Sequence, residues 1–260
     1  MIGIRRLSAH VVAVATLAGG ALVLPAAGSA ASSPGATAGP GGAGLTSGSS
    51  TTIPVPPVQD GDVSVSTSGD GISLQANESA LLRNGLTFSG TASPSSAGQT
   101  IEIERLGHET DWQWAPTVAA IVAPGGAFSA VWQTNHIGRF AIRAVAVSSA
   151  FPQAQQASAT APMDVTVYRP SLATQYGPGF YGRRTACGTT LTTAMIGVAS
   201  RTLQCGESVA LYYHGRTMVV PVIDRGPYAN GADWDLTEAT GAALGITGTA
   251  EIGAVSLPLP

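Results

Sequence analysis

Short runs in which apolar and polar residues alternate recur between residues 60 and 169. They read VSVST at 63–67, LTFSGTA at 86–92, TIEIERL at 100–106, AFSAVWQ at 127–133, GRFAIRAVAV at 138–147 and MDVTVY at 163–168. A period of two puts successive side chains on opposite faces of an extended strand, so each run reads as a strand with one buried face. Clusters of Gly, Pro, Ser and Asn separate the runs, and no long helical period intervenes. Short strands at this spacing predict a mainly β fold, here a β-sandwich over residues 59–169. Trp112, Trp114 and Trp132 read either as part of a glycan-facing surface or as packing, Trp132 in the core and the other two half-buried. His108 and His136 lie in predicted loops with no partner motif, and no role is assigned to them.

From residue 170 onward the pattern changes but stays β-rich. VALYY and TMVVPVI alternate on either side of His214-Gly215, as the two strands of a hairpin do. Pro221 interrupts the second strand and predicts an edge or a bulge there. Asp235 precedes a helix-competent run with Glu238 three residues later, the spacing of a capping box with aspartate as the cap. Gly245 follows Leu244 as the expected helix terminator.

The first 58 residues show neither period. Arg5 and Arg6 begin a segment with an apolar run from Val11 to Leu24 and small residues at Gly28-Ser29-Ala30-Ala31. That order is the pattern of a cleaved export signal over residues 1–31, and the apolar run is short for a membrane span. Residues 32–58 are dominated by Gly, Ser, Pro and Thr and read as a flexible linker. The expected location is therefore secreted or cell-wall associated, with no membrane attachment after signal cleavage.

Charge is sparse: 10% of residues are charged, and all 12 basic residues are arginines. The absence of lysine excludes Schiff-base chemistry and phosphate loops that depend on a lysine. Taking away the two leader arginines leaves 10 arginines against 15 acidic residues, a net charge of −5 with histidines neutral. An acidic chain without a basic cluster is a poor nucleic-acid binder, so none is expected as a partner. No metal-ligand spacing and no cofactor motif occur. Cys187 and Cys205 are the sole cysteines. An even pair in an exported chain reads as a disulfide staple, with free thiols as the alternative.

The C-terminal third carries a specific order of motifs: YGPGFYGRRTA, then RTL-x-CG, then V-x-DRGPY, then DLTEATGAALG. Over about residues 172–258 this resembles the double-psi β-barrel of rare lipoprotein A-like (RlpA-like) proteins, relatives of the expansins and of septal ring lytic transglycosylases. The resemblance implies a six-stranded double-psi barrel with short helices over residues 170–260, following the sandwich. The 59–169 segment resembles, by its strand pattern and the GAFSAVWQTNHIGRFAIRAV stretch, a bacterial immunoglobulin-like domain.

RlpA-like enzymes cleave peptidoglycan glycan strands as lytic transglycosylases, which requires proton delivery to a glycosidic oxygen and assistance to an attacking internal hydroxyl. Transglycosylase relatives carry a glutamate after the Thr-Ala-x-Gly run and a histidine before Arg-Thr-Leu. Thr189 and Ser200 stand at those positions here, while the aspartate of Asp-Arg-Gly-Pro is kept as Asp224. Expansin-like relatives, which loosen wall polysaccharides without hydrolysis, place a threonine near the first strand and two aspartates along the groove. Thr174, Asp224 and Asp235 match those positions. Where some relatives carry a groove tyrosine, Gly226 stands here, with Tyr228 just beyond as a substitute.

Each candidate also has a structural reading. Asp224 either lines the groove or holds Arg225 and backbone N–H groups at a strand end; Asp235 either lines the groove or caps a helix. Asp233 reads as a solvated turn residue. Tyr176, Phe180, Tyr181, Tyr228 and Trp234 either stack on sugars or pack. His214, in the hairpin turn, is rejected as a catalyst. The expectation is a barrel that binds peptidoglycan or another wall polysaccharide through Thr174, Tyr176, Tyr228 and Asp235, with Asp224 as the candidate catalytic group. Non-hydrolytic remodelling ranks first, with active lytic transglycosylation and a noncatalytic glycan- or protein-binding scaffold as alternatives.

Overall fold

The computed structural model describes residues 57–147, 158–228 and 231–257. The expected export signal and nearly all of the linker lie outside them. Nine strands come first: β1 (Gln59–Asp60), β2 (Ser64–Gly69), β3 (Ile72–Asn77), β4 (Ser79–Leu81), β5 (Gly85–Thr91), β6 (Thr100–Leu106), β7 (Ala115–Ile121), β8 (Ala127–Gln133) and β9 (Gly138–Val147). Then follow β10 (Met163–Tyr176), β11 (Val198–Ala199), β12 (Ser208–Tyr213), β13 (Arg216–Asp224), β14 (Trp234–Thr237), a helix α1 (Glu238–Leu244) and β15 (Ala250–Leu257).

The early strands form two layers. One sheet has the order β2-β3-β5-β8, and the other runs from β10 through β9 and β6 to β7. The alternation seen in the sequence decides which side chains meet between them. Leu74, Phe88 and Trp132 from the first sheet share one core with Ile101, Ile103, Phe140, Ile142 and Val165 from the second. Trp132 meets Phe140 edge-on at 5.9 Å, so its core reading holds. Trp112 is 61% exposed, and the Arg143 guanidinium lies 4.1 Å above the Trp114 ring.

β10 crosses the position where the sequence suggested one unit ends and the next begins. Met163–Val167 pair with β9, whereas Arg169–Ala173 pair with β15 and Ala173–Tyr176 with β14. One continuous strand therefore serves both the β10-β9-β6-β7 sheet and the strands that follow it, β14 and β15. Tyr168 stacks on Tyr212 at this junction with centroids 5.5 Å apart, and Tyr212 donates its hydroxyl proton to Asp62 Oδ1 at 2.7 Å.

The second half of β10 opens a closed ring of six strands in the order β10-β15-β12-β13-β11-β14, with β14 returning to pair with β10. Val209, Leu211, Met218, Val220, Val222, Leu236 and Ile252 fill its interior. The β12–β13 hairpin turns at His214 and Gly215, both with positive φ (45° and 76°), the conformation a two-residue primed turn requires. Pro221 itself pairs in register with Ser208, and the bulge lies two residues further on: Val198 pairs with Val222 and Ala199 with Asp224, leaving Ile223 as the extra residue.

α1 is the single α-helix among the described residues, and Gly245 ends it at φ 80° as expected. The expected cap is corrected. Thr237, not Asp235, is the N-cap, and its hydroxyl accepts from the Thr240 N–H. Pairing of Tyr176 with Thr237 holds the chain extended two residues beyond Asp235, so the aspartate is spent as a strand residue before the helix begins.

Candidate functional site

A row of four residues crosses four adjacent strands of the barrel. Asp224 on β13 pairs with Ala199 on β11, Ala199 pairs with Asp235 on β14, and Asp235 pairs with Thr174 on β10. Residues in register across a sheet point to the same face, so the row presents together. All four line a cleft of about 470 Å³ whose walls also include Tyr176, Phe180 and Tyr228. Ala199 sits between the two carboxylates, and its single methyl leaves the floor open there.

Each polar member is held. Thr174 Oγ1 donates to Asp235 Oδ1 at 2.8 Å. Asp224 Oδ1 accepts from the N–H groups of Ala186 and Arg225, both at 2.8 Å. Asp224 thus both lines the cleft and anchors backbone, so its two readings from sequence coexist. Ala186 belongs to a loop closed by hydrogen bonds between Gly182 and Leu191 and between Thr185 and Thr189. The Cys187–Cys205 disulfide fastens that loop to the turn ahead of β12. Arg225 donates to the carbonyls of Ser200 and Leu203 and to Cys205 Sγ, turning its guanidinium into the same turn.

Burial raises the Asp235 carboxyl above its ordinary value; the Thr174 hydrogen bond pulls it back down, and the Asp224 charge adds to the rise. The Tyr176 phenol is pushed up by burial first and then by both carboxylates, so it stays protonated. Its hydroxyl is buried without a hydrogen-bond partner among the described residues.

The rim is aromatic. Tyr228 is 80% exposed and Phe180 is 52% exposed. Phe180 meets Tyr176 edge-on at 6.4 Å, and the Arg183 guanidinium lies 5.8 Å from the Phe180 ring.

Not every candidate from sequence is here. Trp234 packs inside the barrel rather than facing a sugar. Tyr181 hydrogen-bonds Glu238 and does not line the cleft. Asp233 is not a free turn residue: it accepts from the Leu172 N–H at 3.1 Å and from Arg169 at 3.2 Å, tying the start of β14 to β10. Thr189 is exposed and bonds Thr185, whereas buried Ser200 accepts from the Leu203 N–H. Neither lines the cleft. Ala199 was missed, because only the pairing register reveals that it lies between the aspartates. Among the described residues no group of three or more His, Cys, Asp and Glu side chains is placed to hold a metal ion.

Comparison with known proteins bears on the same region. A family model described as "Lytic transglycolase" matches residues 173–257. The chain is 38% identical over 90 residues to a probable endolytic peptidoglycan transglycosylase RlpA of Synechocystis sp., covering 34% of this chain and 28% of the relative. It is 37% identical over 81 residues to a protein of the same description from Aquifex aeolicus, covering 30% of this chain and 36% of the relative. The chain thus spans about a third of the length of these relatives. A solved structure, the Streptomyces papain inhibitor, matches at 27% identity and a TM-score of 0.28, over 34% of this chain and 93% of its own. The closed six-stranded ring and the match over residues 173–257 agree in extent: this part of the chain is an RlpA-like double-psi β-barrel.

Proposed function

We propose that the chain is an exported cell-wall protein whose barrel seats a peptidoglycan glycan strand in the Asp224–Asp235 cleft and remodels it without hydrolysis. The row Asp224, Ala199, Asp235, Thr174 carries this reading, because it sets two carboxylates and a hydroxyl along one open groove with aromatic rings at the rim. Stacked rings and fixed polar groups are what a sugar with apolar faces and equatorial hydroxyls requires. The absence of the glutamate and histidine at Thr189 and Ser200 favours loosening over cleavage. The disulfide suits an oxidising compartment and so supports export. Residues 59–169 serve in this reading as an immunoglobulin-like spacer, supported by two sheets sharing one core.

A second reading is lytic transglycosylation, and the raised Asp235 carboxyl favours it. In that reading Asp235 holds a proton and delivers it to the glycosidic oxygen, while Asp224, as the carboxylate, takes the proton of the attacking sugar hydroxyl. The leaving sugar departs with the delivered proton, and the internal attack closes an anhydro ring. Two carboxyls with different environments are the general requirement for such a division of labour.

Sedimentation with insoluble purified peptidoglycan tests the shared part of both readings. The chain is expected to pellet with it, and a chain that stays in the supernatant removes the glycan reading. Mass spectrometry of the digested peptidoglycan separates the two. No anhydromuramic ends are expected; ends that appear with the wild-type chain and vanish with Asp224→Asn establish cleavage instead.

A further inference from the structure

Asp224 and Asp235 flank Ala199 on neighbouring strands, two strand spacings or about 10 Å apart at the backbone. Neither carboxylate forms a salt bridge among the described residues, where the ion pairs are Arg105–Glu109, His136–Glu109, Arg143–Glu104 and Arg169–Asp233. The cation nearest in sequence, Arg225, lines the cleft but has committed its guanidinium to Ser200 O, Leu203 O and Cys205 Sγ. Arg183 lies against Phe180 at the rim, and Arg201 has committed its guanidinium to the carbonyls of Pro227 and Ala232, each at 2.8 Å. Thr174, Gln175 and Tyr176 supply no charge, and Glu238, bonded by Tyr181 just beyond Gly177, adds a further negative group nearby. The chain has no lysine to supply a compensating ammonium.

The cleft therefore holds two carboxylates on a floor opened by alanine, each held by neutral N–H or O–H donors and neither with a salt-bridge partner among the described residues. A ligand that brings its own cation removes this repulsion, whereas one that brings a carboxylate increases it. We propose that the cleft selects glycan in which the sugar at its floor carries a free amine, a de-N-acetylated glucosaminyl unit, with the ammonium between Asp224 and Asp235. The inference rests on the glycan-binding reading above and names the substrate class for that site. Burial is the larger cause of the rise of the Asp235 carboxyl, but the Asp224 charge adds to it, and a charge that disfavours a second negative group favours a positive one.

The test is calorimetric titration of the full chain with two oligosaccharides of equal length, a glucosamine tetramer and an N-acetylglucosamine tetramer, at low ionic strength. One charge-assisted hydrogen bond predicts that the amine form binds at least about tenfold more tightly. That advantage is expected to shrink in high salt. It is expected to vanish once the pH is raised until the ligand amine is neutral. Asp224→Asn and Asp235→Asn keep the side-chain shape, and each is expected to cut the ratio of amine-form to acetylated-form affinity, the double variant bringing that ratio to about one. Equal or tighter binding of the acetylated tetramer overturns the charge inference and leaves the glycan reading standing. An advantage that survives in the correctly folded double variant also overturns it, assigning the effect to the acidic surface in general. Binding of neither tetramer, together with failure to pellet with peptidoglycan, removes both.

Discussion

The Thr174 hydroxyl donates a 2.8 Å hydrogen bond to Asp235 Oδ1 across the parallel pairing of β10 with β14. It is the one influence on Asp235 that lowers its carboxyl, against burial and the Asp224 charge that raise it. Thr174→Val keeps the β-branched shape and removes the donor. The Asp235 carboxyl is then expected to titrate at higher pH than in the wild type, because the ionised form loses its hydrogen bond. A carbon-detected NMR titration of the Asp235 side chain reads this directly. An unchanged or lower midpoint contradicts the assignment of Thr174 as the stabiliser of the carboxylate.

Asp235→Asn follows from the same geometry through stability. The folded-state carboxyl is raised above its ordinary value of 3.8, so its stabilising contribution is complete below that pH. It is lost as the pH rises through the raised folded value. Asparagine resembles the protonated form at every pH. The melting temperature of Asp235→Asn minus that of the wild type is therefore expected to be more positive at pH 7 than at pH 3.5. Partial exposure and solvent screening keep the change small, about 1–2 °C for a domain of this size. A difference that grows towards acid pH would falsify the sign.

The Cys187–Cys205 disulfide closes a separation of 18 residues. Chain-entropy arguments give such a closure about 3 kcal/mol of stability. Replacing both cysteines by serine is expected to cost about that amount in chemical denaturation. A second readout concerns the site itself. The loop carrying Ala186 presents its N–H to Asp224 Oδ1, so the double serine variant should exchange the Ala186 amide faster while the β12–β13 amides stay protected. Retained protection at Ala186 means the loop holds its place without the disulfide.

How much of this was legible depends on how each residue is buried. β6, β8 and β9 coincide with runs read from alternation, because each turns one face into the core, Phe128, Ala130 and Trp132 doing so even though β8 is the edge of its sheet. β7 was not read, and its APTVAAI segment explains why: it is the edge of its sheet and mostly not buried, so no clean period is imposed on it. β3 also stands outside those runs although Ile72, Leu74 and Ala76 alternate into the core. At the site, motif order located Asp224, Asp235, Thr174, Tyr176 and Tyr228, and all five line one cleft. The Asp235 cap was misread because Asp-x-x-Glu spacing at 235–238 fits a capping box. The competing Thr237 cap wins through strand pairing that sequence spacing does not encode. Ala199 was invisible for the same reason, since a small residue has meaning only once its register partners are known.

Tyr176 offers the sharpest separation of structure from function. Its hydroxyl is buried without a hydrogen-bond partner among the described residues, while its ring lines the cleft and meets Phe180. An unpartnered buried hydroxyl costs the folded protein its desolvation and returns nothing, so Tyr176→Phe is expected to be neutral or stabilising by up to about 1 kcal/mol. Burial and the two carboxylates keep the phenol protonated, so a glycan whose seating uncovers the hydroxyl meets it as a donor. Tyr176→Phe is therefore expected to weaken pelleting with peptidoglycan about tenfold, the worth of one hydrogen bond to a desolvated sugar oxygen, without lowering the melting temperature. A clear fall in stability with binding intact reverses the assignment, because the hydroxyl then serves the fold and not the glycan.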